Sequence, residues 1–142
     1  MAPAAQAAAD LWATGISADG HPTTFRRDAL ARRGVVVATD LLTHPVPDPE
    51  HPPRVRVAGV VTHRQRPATA GGTIFVNLED ETGLVNVVVS RGCWIRFRRV
   101  ATAAPALLVT GRLERAEGVV NVLAEHIVAL DMDVPARSRD FR

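Results

Sequence analysis

Residues 71–90 read GGTIFVNLEDETGLVNVVVS, two alternating apolar runs on either side of an acidic turn. In the first run Ile74, Val76 and Leu78 fall on one face of an extended strand, with polar or aromatic residues between them. The second run alternates in the same way, with valines along one face. Alternation on both sides of a short turn that ends in Gly83 predicts an antiparallel β-hairpin, because glycine readily adopts the positive φ of such turns.

The opposite face of this hairpin carries Phe75, Asn77 and Asn86. Hydrophobicity alone would place Phe75 inside, yet the alternation puts it across from the apolar stripe. An accessible ring can stack on an unpaired base, and amides can pair with a base edge, so this face predicts a nucleic-acid site. The alternative is that Phe75 packs beneath a helix or loop, because large aromatic side chains are mostly buried.

The rest of the chain predicts three more strands and a helix. We expect strands at residues 54–62, 106–114 and 119–129 and a helix at residues 91–103. Gly59 in the first strand predicts a bulge or bend. Five strands with a helix between the third and fourth are the arrangement of the OB-fold, an all-β Greek-key barrel that binds oligonucleotides. An SH3-like barrel is the competing five-stranded fold, and a helix in that position argues against it.

The chain divides into three predicted regions. These are a helical lead-in with a proline-rich linker (residues 1–53), the OB-fold nucleic-acid-binding domain (54–130) and a tail (131–142). Within the lead-in, alanine-rich residues 5–14 favour a helix, and Thr23 or Thr24 can cap a second helix that runs to Arg32. Gly34 is expected to end that helix.

Positive charge is concentrated in the predicted barrel. All seventeen basic residues are arginine, and the formal net charge is only +2. Between residues 54 and 112, however, nine arginines accompany three acidic residues, an excess of six positive charges. A locally basic barrel suits a polyanion, although arginines also solvate ordinary surfaces. The arginines expected to point outward or into the first loop are the candidate phosphate contacts: Arg56, Arg64, Arg66 and Arg112.

The predicted helix at residues 91–103 interleaves aromatic and charged residues. Trp94, Phe97 and Ala101 recur at helical spacing, which predicts a core stripe with arginines on the solvent side. A nucleic-acid surface built from the aromatic side chains is the alternative interpretation.

Catalytic and export signals are weak. No basic leader precedes an apolar core, and no run approaches the roughly 18 apolar residues of a membrane span, so we expect a cytoplasmic protein. Cys93 is the single cysteine, which excludes an internal disulfide. Asp131 and Asp133 have the spacing of paired carboxylates but stand alone, and the histidines lack metal-ligand spacing. We therefore expect no catalysis by this chain, no cofactor and no metal.

The hairpin also carries a family resemblance. The run TIFVNLEDETGLVNVVV resembles the second and third OB-fold strands of bacterial C-family DNA polymerases and, more distantly, of class II aminoacyl-tRNA synthetase anticodon-binding domains. VAGVVTHRQRP (57–67), ALLVTGR (106–112) and SRDFR (138–142) resemble the carboxyl-terminal region of the error-prone polymerase III alpha subunit. The resemblance extends from about Asp10 to the last residue.

This resemblance implies two functions. One is a module that holds single-stranded template DNA during translesion synthesis and DNA repair, without the catalytic aspartates that lie elsewhere in the family. The other is a protein-interaction OB domain that docks the polymerase onto mutagenic repair partners, namely a Y-family-like protein and a RecA-like accessory protein.

The distant likeness to the synthetases implies roles for two residues. Phe75 occupies the position of an aromatic that stacks on an anticodon base, and Asn86 that of an amide that reads a base edge. Glu79 departs from the motif, which commonly carries an arginine there. A carboxylate at this position would repel phosphate, which argues against sequence-specific reading of tRNA.

Overall fold

The computed structural model describes residues 20–67, 71–116 and 118–131. Three features of the sequence analysis lie outside these residues. They are the helix expected at residues 5–14, the carboxylate of Asp133 and the SRDFR motif.

The described chain forms a closed barrel of five strands. The strands are β1 (Arg54–Gln65), β2 (Ile74–Asp80), β3 (Gly83–Val89), β4 (Ala106–Ala116) and β5 (Val119–Ala129), and their order around the barrel is β1-β2-β3-β5-β4. A short helix, α1 (Arg27–Arg32), precedes the barrel, and a longer helix, α2 (Arg91–Ala103), joins β3 to β4. A helix between the third and fourth strands of a closed barrel confirms the predicted OB-fold.

The predicted hairpin is confirmed in β2 and β3. The strands pair antiparallel from Ile74 opposite Val89 to Asp80 opposite Gly83, which has a φ of 155°. Ile74, Val76 and Leu78 are at most 2% exposed and enter the barrel core. The alternation in sequence therefore decides which face of the hairpin points inward.

A buried carboxylate fixes the turn of this hairpin. Asp80 Oδ1 accepts hydrogen bonds from the backbone N–H groups of Thr82 (2.7 Å) and Gly83 (3.1 Å). Its Oδ2 accepts from the backbone N–H of Ala38 at 2.8 Å, at the start of the 3-10 helix Ala38–Leu42. Asp80 thereby joins the turn to the segment that precedes the barrel.

Gly59 does not mark the bulge that the sequence predicts. The register of β1 against β2 shifts between Val61 and His63 instead. At Gly59 the backbone of Glu79 approaches so closely that an added Cβ would lie 2.6 Å from its carbonyl oxygen. Glycine is required there by a close approach of β2.

Helix α2 packs across the barrel through its apolar stripe. Ser90 caps the helix by accepting a hydrogen bond from the N–H of Cys93, and the helix is kinked at Phe97. Trp94 and Ala101 are buried, and Phe97 is half-buried against the core. The predicted core stripe is confirmed, and the aromatic rings are not a solvent-facing surface.

The segment before the barrel covers one of its sides. In place of one helix from Thr23 or Thr24, a 3-10 helix (Pro22–Arg26), capped by His21, leads into α1. Beyond α1, Gly34 has a φ of 79°, as expected of a helix end. Apolar side chains of this segment then pack on the outer surface of β1, β4 and the end of β5. They are Leu30 and Val35, packed with Ala58, Ala106, Leu108 and Leu130.

Candidate nucleic-acid interface

An apolar row crosses the outer surface of β2, β3 and β5. Phe75 pairs with Val88 across the hairpin, and Val88 pairs with Leu123 through the parallel contact of β3 and β5. All three side chains are half-buried, whereas Val76 and Val122 beside them are buried in the barrel. Part of the Phe75 ring is therefore accessible on the barrel surface. We call Phe75, Val88 and Leu123 the apolar row.

A row of three amides lies directly beside it. Asn77 pairs with Asn86, and Asn86 pairs with Asn121 on β5. Asn77 Nδ2 donates to Asn86 Oδ1 at 2.6 Å, so this bond uses the carbonyl oxygen of the exposed Asn86 and not its amide N–H groups. Asn121 Nδ2 donates to Glu114 Oε1 at 3.2 Å, which orients its own carbonyl oxygen. Donor and acceptor groups thus stand on adjacent strands in the amide row.

Asn121 was not predicted from the sequence as part of this surface. Its strand is recognisable, but its position beside Asn86 depends on the parallel register of β3 and β5. That register joins residues 35 positions apart, and no local pattern reports it. The only available signal was the alternation around Val122, which places Asn121 on the outer face.

Arg64 is not in the first loop, so that predicted placement is wrong, and its burial argues against the predicted phosphate contact. It lies in β1, is 5% exposed, and donates to the backbone carbonyls of Ala101 (2.7 Å) and Ala104 (2.8 Å). Burial lowers the pKa of Arg64 to about 10, which still leaves the guanidinium protonated at neutral pH. Arg64 holds the end of α2 against β1.

The structure spreads the other predicted arginines apart. Arg66 is exposed at the start of the loop between β1 and β2. Arg56 is exposed too, but it donates to the carbonyl of Arg33 at 2.7 Å, beside the N-terminal segment and away from the apolar row. Arg112 pairs with Leu123, and so lies at the edge of that row.

A carboxylate offsets the charge at that edge. Glu125 Oε1 accepts from Arg54 Nε at 2.7 Å, and its Oε2 accepts from Arg112 Nε at 3.1 Å. The hydrogen bond from Arg54, with a smaller contribution from Arg112, holds the pKa of Glu125 below its usual value. A phosphate that approaches Arg112 therefore competes with Glu125.

The acidic turn is neutralised by the N-terminal segment. Arg27 binds both carboxylate oxygens of Glu81, at 2.6 and 2.7 Å, and Thr23 donates to Glu81 at 2.6 Å. The bond from Arg27 is the main reason that the pKa of Glu81 falls to about 2. Glu79 is the residue that the sequence analysis expected to repel phosphate. Its Oε1 lies 3.3 Å from Nε2 of the buried His21.

Three other features bear on function: metal-ligand groups, the thiol of the cysteine and membrane-spanning helices. Within residues 20–67, 71–116 and 118–131 no three histidine, cysteine or acidic side chains are grouped as metal ligands would be. Cys93 is half-buried, and burial raises the pKa of its thiol, which disfavours the reactive thiolate. Among the same residues, no helix is both long and apolar enough to cross a bilayer.

Solved structures share this fold. Asparaginyl-tRNA synthetase from Pyrococcus horikoshii is similar over 73% of this chain and 24% of its own, with 26% identity and a TM-score of 0.51.

Curated relatives are closer in sequence. The error-prone DNA polymerase of Mycolicibacterium paratuberculosis is 54% identical over 136 residues, 96% of this chain and 12% of the polymerase. That of Cutibacterium acnes is 56% identical over 134 residues, 94% of this chain and 11% of the polymerase. The chain thus spans about an eighth of the polymerases it matches, and its predicted resemblance to error-prone DNA polymerase is confirmed. Residues 55–130 match the family described as OB-fold nucleic acid binding domain, and the chain belongs to that family.

Proposed function

We propose that this chain is a single-stranded DNA-binding module of an error-prone DNA polymerase, and that it binds without catalysing a reaction itself. The apolar row beside the amide row is the observation that carries the proposal. As part of such a polymerase, the module would act in the cytoplasm and hold the template strand during DNA synthesis past damage.

The apolar row would stack on bases, and the amide row would form hydrogen bonds with a base edge. Phe75 offers a ring on which a base can stack, and Val88 and Leu123 extend the apolar floor to neighbouring strands. Asn86 and Asn121 offer a donor and an acceptor to a base edge. A base in a duplex has its Watson–Crick edge occupied, so this arrangement favours an unpaired strand. The names of the curated relatives favour DNA over RNA as the ligand.

Fluorescence anisotropy of a labelled single-stranded DNA oligomer at two salt concentrations tests the proposal. Phe75→Ala is expected to weaken binding about tenfold, the loss of one stacked base at ~1–3 kcal/mol. Phe25→Ala is the matched control, because Phe25 is 75% exposed and lies outside both rows. Equal losses in the two variants, or no binding by the wild type at low salt, would reject the proposal.

A second candidate is docking onto a protein, and an exposed aliphatic patch favours it. Leu42, Leu84 and Val119 are 61%, 50% and 49% exposed, and Leu42 and Leu84 line one pocket with Gly83 of the hairpin turn. This patch contains no aromatic ring on which a base can stack, and a patch of this kind suits an apolar protein contact. The partners implied by the resemblance are a Y-family-like protein and a RecA-like accessory protein.

The two candidates respond differently to salt and to mutation. Binding to DNA phosphates weakens steeply as salt rises, whereas an apolar protein contact does not. The double variant Leu84→Gln/Val119→Gln should keep DNA binding and lose binding to the purified protein partners. If this variant retains full binding to both partners, the patch is not the docking surface.

A further inference from the structure

Helix α2 presents an unusually basic surface. Four of its thirteen residues are arginine, and it contains no acidic residue. All four arginine side chains are exposed, whereas Trp94 and Ala101 are buried in the core. We call these residues the α2 arginine surface: Arg91, Arg96, Arg98 and Arg99.

Three other arginines that border the barrel have polar partners. Arg27 binds Glu81, Arg54 binds Glu125, and Arg115 donates to the carbonyls of Leu41 and Leu42. Within the described ranges, by contrast, no acidic side chain pairs with the α2 arginine surface. Arg96 lies over the ring of Phe97 at 5.7 Å, a contact that leaves its charge uncompensated.

The helix itself gains nothing from this charge. Arg91 occupies the first turn, where the helix dipole disfavours a cation, and the last turn contains no basic residue. Arg96 and Arg99 are three residues apart, a spacing at which like charges repel on a helix. A bound polyanion would relieve both effects.

The α2 arginine surface begins three residues after Val88, the middle member of the apolar row. Val88 of that row is followed by Val89, the last residue of β3, and then by the cap Ser90 and Arg91. Gly72, near the end of the loop between β1 and β2, packs so closely on Arg91 that an added Cβ would lie 3.1 Å from its Cδ. Exposed Arg66 stands at the beginning of the same loop. A strand that leaves the apolar row in this direction meets positive charge.

We infer that the α2 arginine surface is a second contact region for the same nucleic-acid strand, and that it binds the phosphodiester backbone irrespective of sequence. The inference rests on the proposed function, because it extends the path of the bound strand beyond the barrel. Guanidinium groups suit this role since each can donate two parallel hydrogen bonds to a phosphate. The barrel then contacts the bases, and α2 contacts the phosphates that follow.

Oligomers of two lengths separate the two regions. An oligomer of about 5 nucleotides can fill the barrel surface alone, and one of about 15 can also reach α2. The test variant is Arg98→Gln/Arg99→Gln, and the matched control is Arg32→Gln/Arg33→Gln, an exposed pair of the same charge at the end of α1. Thermal unfolding of each variant verifies that the fold is intact.

The test variant should weaken binding of the long oligomer about tenfold at low salt. The slope of log affinity against log salt should fall by ~0.7 for each phosphate that the variant no longer binds. Binding of the short oligomer should be unchanged, and the control pair should change neither. Arg98→Lys/Arg99→Lys should restore most of the slope, since the charge is retained.

Two outcomes would overturn the inference. One is equal weakening by the test and control pairs, which would mean that only net charge matters. The other is an unchanged salt slope for the long oligomer. Failure of the proposed function looks different: Phe75→Ala would then leave binding of the short oligomer unaffected, or the short oligomer would not bind at all.

Discussion

Arg64 Nε donates to the backbone carbonyl of Ala101 at 2.7 Å, and this bond links the end of β1 to the last turns of α2. A second bond from the same guanidinium reaches Ala104 at 2.8 Å. Arg64→Leu should lower the free energy of unfolding by about 2–3 kcal/mol, because it removes hydrogen bonds made by a charged, buried group. Urea denaturation measures this change.

Arg66→Leu is the control for Arg64→Leu. Arg66 lies two residues further along the chain and is exposed, so its replacement should leave stability within about 0.5 kcal/mol of the wild type. If both variants unfold at the wild-type midpoint, Arg64 has no structural role.

Gly59→Ala should destabilise the barrel by about 2–3 kcal/mol, because the new side chain overpacks the space between two strands. Its Cβ would lie 2.6 Å from the carbonyl oxygen of Glu79, so β1 and β2 would have to separate locally. Gly92→Ala is the contrasting variant, because nothing lies within 4 Å of the position of its Cβ. There the helix should gain up to about 1 kcal/mol from alanine. Thermal melts of the two proteins should therefore shift in opposite directions, and a shared direction would contradict this expectation.

The lowered pKa of Glu81 predicts that the folded protein loses stability in acid. Its pKa is about 2 in the folded protein because Arg27 and Thr23 donate to it, and its usual value is near 4.5. The stabilisation that ionised Glu81 contributes is complete above the pKa that this group has in the unfolded chain. It disappears as the pH falls from about 5 to 2. After allowance for solvent screening, the change is roughly 1 kcal/mol.

Glu81→Gln isolates this contribution. The variant should be less stable than the wild type at pH 7, and the difference should shrink towards pH 2. Urea denaturation at pH 7, 4.5, 3 and 2 measures the two curves. Curves that stay parallel across this range would show that Glu81 is not the group responsible.

Glu125→Gln should tighten binding of single-stranded DNA at low salt. The change removes the carboxylate that holds Arg54 and Arg112, and Arg112 lies at the edge of the apolar row. We expect an affinity several-fold higher and a steeper dependence on salt, by ~0.7 for each arginine that becomes free to bind a phosphate. Anisotropy titrations at two salt concentrations provide both quantities.

Glu50→Gln changes the net charge by the same amount and is the control for Glu125→Gln. Glu50 is exposed in the proline-rich segment ahead of β1. An equal gain in affinity from Glu50→Gln would attribute the effect to net charge alone.

The site was only partly predictable. Phe75, Asn77 and Asn86 were placed correctly on one surface because their neighbours in the hairpin alternate, and alternation is a local property of the chain. Arg64 was assigned to a loop although it lies in a strand. The expected strand ended at residue 62, whereas β1 continues three residues further, to Gln65. The bulge between Val61 and His63 interrupts the pattern that would have extended the strand.

The amino-acid sequence alone determined the fold. It contains five predicted strands, a predicted helix between the third and the fourth of them, and a hairpin turn that ends in glycine. Tertiary structure alone decided which distant groups meet. It placed Asn121 beside Asn86, covered the charge of Glu81 with Arg27 and buried Arg64 against α2. The physical reason is that alternation reports the environment of one strand, whereas strand register and charge pairing depend on barrel closure and on packing between segments far apart in sequence.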